Sequence, residues 1–107
     1  MTPDDFRRIA RSMPQAEEIY RRGRFDFRVR RAPFATLEGP GNSTAVVNLT
    51  AEQQDMFVTN EPAAFEPVPG GWGRLGSTRV LLELASEPAL RDIIAAAWAN
   101  AAPKNLR

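Results

Sequence analysis

An α+β fold, with helices over one face of a mostly antiparallel sheet, is predicted for this chain by three observations. Residues 24–30 alternate strictly, with Phe25, Phe27 and Val29 between Arg24, Asp26, Arg28 and Arg30, the period-2 signature of a half-buried strand. Helix-start signals stand at Thr2, Thr50 and Ser86. The extended runs between the first two helices are separated by turns too short for crossover connections, which imposes a meander of hairpins.

The elements follow in order. Thr2-Pro3-Asp4-Asp5 supplies a hydroxyl cap, a proline at the first helical position and acids in the first turn. Phe6, Ile9, Ala10 and Met13 then share one helix face, and Pro14 ends it. Ala16 to Tyr20 reads as extended and leads through Gly23 into the strand Arg24 to Arg30. Pro33 to Leu37 continues as a strand, and Gly39-Pro40-Gly41-Asn42 turns into Thr44 to Leu49. Thr50-Ala51-Glu52-Gln53 is a capping box, opening a helix with Met56 and Phe57 as its apolar face and its end near Asn60. The last strand runs from Thr78 to Leu84, with Val80, Leu82 and Leu84 on one face. Ser86-Glu87-Pro88 caps a final helix in which Leu90, Ile93, Ile94, Ala97, Trp98 and Ala101 fall at helical spacing, and Pro103 stops it. Three helices and about five strands result, with no repeat or linker among them, so residues 1–107 are expected to form a single domain.

Composition narrows the function classes. The chain is 43% hydrophobic and 25% charged, the balance of a folded globular protein rather than a disordered tail. It has neither Cys nor His. Disulfides, thiol nucleophiles, imidazole bases and the usual transition-metal ligands are therefore excluded, and neither metal nor cofactor is expected. Asp4/Asp5 and Glu17/Glu18 are adjacent pairs whose side chains diverge, so they make poor catalytic dyads, and the chain is expected not to be an enzyme. The N-terminal stretch is charged and lacks the apolar core of a signal peptide, and the longest apolar run, residues 93–99, is too short to cross a bilayer. A cytoplasmic setting without membrane contact is the expectation.

Charge is unevenly placed. Residues 1–31 hold nine arginines against five acids, about +4, which leaves about −3 for the rest of a chain whose net charge is +1. Lys104 is the only lysine among 14 basic residues. Arg24, Arg28 and Arg30 would project from the uncovered sheet face, beside Arg79 if their strands are neighbours. Guanidinium forks match phosphate oxygens, so this row is a candidate for phosphate contact; a solvated strand face is the plainer reading. Between residues 65 and 78 lies a Pro/Gly-dense loop with a specific shape and Trp72 at its centre. Trp72 either packs as the loop's anchor, the plainer expectation, or joins Arg74 as a contact surface. Gly71 to Gly76 spells GxGxxG, but it precedes a strand instead of following one, so a dinucleotide site is rejected. Trp98 is assigned to the core.

Several segments, taken in order over nearly the whole chain, resemble the MmcQ/YjbR family: Asp4-Asp5-Phe6-Arg7, Met13-Pro14-Gln15-Ala16-Glu17-Glu18, Gly23-Arg24-Phe25-Asp26-Phe27-Arg28-Val29, Phe34-Ala35-Thr36-Leu37, Leu49-Thr50-Ala51-Glu52-Gln53 and Pro69-Gly70-Gly71-Trp72-Gly73. The resemblance implies a two-layer α-β(3)-α-β(2)-α domain, similar to secretion chaperones, with a DNA-binding-like double-wing character. Members of that family commonly carry His near Arg22 or Arg24, Lys at the position of Asn48 and Trp at that of Ser77; this chain departs at all three.

Three functions follow as expectations. The first is sequence-tolerant DNA binding through Arg22, Arg24, Arg28, Arg30, Trp72, Arg74 and Arg79; it requires that the strand arginines are not buried or paired with Glu17, Glu18 or Glu83. The second is a protein-interaction module, including self-association, that uses the open face or a strand edge. The third is a small-molecule site beneath the Trp72 loop.

Overall fold

The computed structural model describes residues 1–38 and 43–107; the expected turn at Gly39 to Asn42 lies outside them. Helix α1 (Pro3–Ser12) is closed by a reciprocal capping box in which the Thr2 hydroxyl accepts from the Asp5 amide and the Asp5 carboxylate accepts from the Thr2 amide. Strands β1 (Ala16–Arg21), β2 (Arg24–Val29), β3 (Ala32–Glu38) and β4 (Thr44–Asn48) follow, then α2 (Ala51–Asn60) behind the Thr50/Gln53 capping box. A three-residue β5 (Phe65–Pro67), a one-turn α3 (Gly71–Arg74), β6 (Ser77–Leu81), a 3₁₀ turn at Leu82–Leu84 and α4 (Glu87–Ala101) complete the chain before a last 3₁₀ turn, Lys104–Leu106.

The six strands form one antiparallel sheet in the order β1-β2-β3-β4-β6-β5. The α+β class is as expected, with one more strand before α2 than the resemblance implied. Helices α1 and α4 lie over one face of the sheet. There Phe6, Ile9, Leu90, Ile93, Ile94 and Ala97 meet Phe27, Val29, Ala35, Leu37, Ala45, Val47 and Val80, all essentially buried. Phe27 stacks edge-on against both Phe6 and Phe34, at 5.8 and 6.5 Å between centroids. Trp98 is core as predicted, and its indole N–H donates to the Pro14 carbonyl at 3.0 Å, tying α4 to the end of α1.

Some assignments change. The register between β2 and β3 shifts at Phe27/Arg28, so Phe27 faces Ala35 while Arg28 faces Pro33. This bulge buries the consecutive Phe34 and Ala35 together and admits a proline to an interior strand. Beyond Leu81 the expected strand winds into a 3₁₀ turn, which buries Leu82 and leaves Leu84 59% exposed. In α2 it is Gln54 that is buried, while Met56 is half exposed. Gln54 satisfies two loop carbonyls, of Gly73 and Ser77, at 2.9 Å each. A polar side chain thus docks α2 on the Pro/Gly loop, while Phe57 packs on the core as expected, edge-on to Phe65 at 6.0 Å.

Candidate functional site

The sheet face opposite the helices carries the candidate site. Alternation in β2 sends Arg24, Asp26 and Arg28 to this face, and register adds Glu17, Ile19 and Arg21 from β1, Thr36 and Glu38 from β3, and Val46 and Asn48 from β4. A hollow of about 430 Å³ opens among Ile19, Arg21, Arg24, Asp26, Arg28, Arg31, Pro33, Thr36 and Asn48. Two tight turns set its rim. Arg22-Gly23 joins β1 to β2 with φ of 55° and 80°, the two-residue hairpin that brings Arg21 directly opposite Arg24. Arg30-Arg31 joins β2 to β3 with φ of 49° and 69°, a left-handed pair with no glycine.

Among the described residues, Asp26 is the one carboxylate lining the hollow. It accepts from the Thr36 hydroxyl at 3.1 Å and lies 3.7 Å from both Arg21 Nη2 and Arg24 Nε. At that length, and with both arginines more than half exposed, these pairs are weak. Arg28 and Arg31 have no side-chain hydrogen bond or ion pair among the described residues, and the buried Nε of Arg28 is unsatisfied. Glu17 stands opposite Arg28 in register without forming an ion pair with it. The arginines of the expected row are therefore not paired with Glu17, Glu18 or Glu83.

Several expected site residues lie elsewhere. Arg30 is off the strand, because its left-handed turn conformation swings it away, and its Nε donates to Gln15 at 2.8 Å. Arg31 takes its place at the hollow. Arg79 shares the open face but stands on β6, three strands from β2, roughly 14 Å at the usual spacing. Its Nη1 is held by Glu66 at 3.0 Å, so it is neither beside Arg28 nor uncommitted. Arg22 is exposed at a hairpin tip. Asn48 lines the hollow opposite Ser77 on β6, and its amide donates to the Pro33 carbonyl at 3.3 Å.

Trp72 overturns the packed-anchor expectation: it is 73% exposed, as is Leu75 one helical turn on. The anchor is Gly73, whose absent side chain lets the helix settle on the Val68 carbonyl, where an added Cβ would meet the oxygen at 1.7 Å. Gln54 holds the same turn from beneath. The loop is shaped by backbone contacts, and Trp72 and Arg74 are displayed from it.

Sequence reasoning missed Arg21, Arg31, Asp26 and Thr36 as site members. Arg21 was accessible, since a two-residue turn at Arg22-Gly23 forces Arg21 and Arg24 into register. Arg31 carried no such signal. Among the described residues no three acids cluster in a way that could hold a metal ion, and no helix is long and apolar enough to cross a membrane.

Neither a family model nor a curated protein matches the chain. Among solved structures, the Deinococcus radiodurans protein DR2400, which carries the family-model domain DUF419, superposes with a TM-score of 0.78 over 99% of this chain and 82% of that one, at 14% identity. This chain shares that protein's fold. At such identity the likeness speaks for the architecture, helices on a six-stranded antiparallel sheet, and for nothing chemical.

Proposed function

We propose that this is a small non-enzymatic domain of the MmcQ/YjbR kind that binds nucleic-acid phosphates through its open sheet face, with Trp72 as a second contact. The observation that carries the reading is the pair Arg28 and Arg31, cationic, facing one hollow and without partners among the described residues. Arg7, by contrast, is committed to the fold through its pair with Glu18 at 2.9 Å. The exposed Trp72 supports a contact role, because a flat ring held outward by rigid backbone suits base stacking. Arg22 and Arg74 add exposed charge at two further points; Arg30 and Arg79 drop out as primary contacts because Gln15 and Glu66 engage them.

Fluorescence anisotropy of labelled duplex and single-stranded DNA, from about 50 to 200 mM salt, tests this. Micromolar binding that weakens with salt is the expected result, and no binding at the lowest salt would end the reading. A protein-interaction role is the second reading, favoured by the exposed Trp72 and Leu75 and by β1, whose outer edge has no neighbouring strand among the described residues. Dimerisation that Trp72→Ala abolishes, in a protein that ignores DNA, would establish it instead.

A further inference from the structure

The hollow divides its arginines into two sets. Asp26, 18% exposed, sits between Arg21 and Arg24 and offsets part of their charge. Arg28 and Arg31 receive no such compensation among the described residues, and the Nε of Arg28 is shut away from solvent without an acceptor. A buried donor of this kind is costly, and burial also keeps it from an incoming oxygen, so Arg28 would meet a ligand through its terminal nitrogens, which are not buried and carry no hydrogen bond among the described residues. The turn that delivers Arg31 is expensive as well. Arg30 and Arg31 both adopt left-handed conformations that Asn and Gly adopt with less strain, as Gln15 and Arg22 do elsewhere, and here the strained pair delivers an arginine to the hollow. The volume of about 430 Å³ lies within the range of small-ligand sites.

We infer that this hollow is a discrete site for a phosphate monoester dianion, with Arg28 and Arg31 as its ligands and Arg21 and Arg24 adding charge at the rim, partly offset by Asp26. A terminal phosphate offers three oxygens and close to two charges, which two guanidinium forks can share. An internal phosphodiester offers two free oxygens and one charge. Its chain must also continue across a sheet face that carries the carboxylates of Asp26 and Glu17. The same chemistry is found at the phosphorylated end of a nucleic-acid strand and in a phosphorylated small molecule. As a statement about nucleic acid the inference rests on the reading above; as a statement about the hollow it does not.

The test uses one single-stranded oligonucleotide, internally labelled, with a 5′-phosphate, a 3′-phosphate or hydroxyls at both ends. Alongside it, inorganic phosphate and a nucleoside monophosphate are titrated into ¹⁵N-labelled protein and followed by amide shifts. The proteins are the wild type, Arg28→Gln and the exposed turn variant Arg31→Gln, each checked for an unchanged melting temperature. One phosphate-ended strand should bind about tenfold tighter than the hydroxyl form, and that advantage should vanish in both variants. Inorganic phosphate should compete and shift amides of β2 and the Arg30-Arg31 turn. Equal affinity for all three strand ends overturns the inference and leaves the nucleic-acid reading standing. Shifts with the mononucleotide that both variants abolish, without any strand binding, support the hollow and overturn the nucleic-acid reading. Silence from every probe, or responses equal in wild type and both variants, overturns the site.

Discussion

Arg7 and Arg28 stand on opposite sides of the same β1–β2 hairpin, each beside one of the adjacent acids Glu18 and Glu17, and they meet opposite fates. On the helix-covered side, Arg7 reaches from α1 to Glu18 on β1 with two hydrogen bonds of 2.9 Å. Its guanidinium also lies 4.4 Å above the Phe25 ring. On the open side, Arg28 faces Glu17 across the same strand pair and forms no bond with it. The Arg7 guanidinium holds the Glu18 carboxyl below the usual carboxylate range, against the opposing effect of burial, and Glu18 in turn raises Arg7 above the usual arginine value. One arginine is committed to clamping a helix on the sheet. The other keeps its bonding capacity, which is what a ligand requires.

Breaking the clamp should have the largest effect. Arg7→Glu places two carboxylates where a fork closed on one, and about 3 kcal/mol of stability should disappear in urea denaturation. Arg28→Glu should cost less than ~1 kcal/mol while abolishing DNA binding. Equal losses of stability at the two positions would erase the contrast.

The clamp also has a pH signature. Glu18 titrates lower in the folded than in the unfolded state, so its contribution is fully present above the ordinary glutamate range and disappears as pH falls through the folded value. Glu18→Gln should lose about 1.5–2 kcal/mol at pH 7 and show a shallower decline in acid than the wild type. A parallel decline would mean that Arg7 holds Glu18 no more tightly folded than unfolded.

The turn that supplies Arg31 sharpens the comparison from the other side. Replacing Arg30 with Asn and Arg31 with Gly fits the left-handed pair without strain, so stability should rise by roughly 1 kcal/mol while phosphate affinity falls. A rise in stability with unchanged binding would remove Arg31 from the site. The smallest stability effect belongs to Trp72→Ala, within about 0.5 kcal/mol because the ring is already in solvent, against a binding loss of roughly 1–3 kcal/mol if it stacks on a base. A substantial drop in melting temperature would show that the ring packs after all.

Much of this arrangement is legible without coordinates because local chemistry enforces it. The Thr2/Asp5, Thr50/Gln53 and Ser86 caps bond within four residues of themselves, and each helix begins where they stand. The alternation of Phe27 and Val29 against Asp26 and Arg28 fixes both faces of β2, since the strand period admits no other division. Strand β5 carries no periodicity in its three residues, so only the resemblance implied a second strand after α2, and pairing with β6 alone makes it one.

The candidate site divides along the same line. Strand period is a local rule, and it alone sends Arg24 and Arg28 away from the apolar core; hairpin register then sets Arg21 opposite Arg24 once the Arg22-Gly23 turn is known. The packed fold puts Arg31 in place of Arg30 at the hollow, brings Glu66 to Arg79 and leaves Arg28 without an ion pair among the described residues. It also turned Trp72 outward, because Gly73 and Gln54 hold the loop from beneath and leave the ring nothing to pack upon. These outcomes depend on which strands lie side by side and on the exact rotation of two turns, and no short-range pattern encodes either.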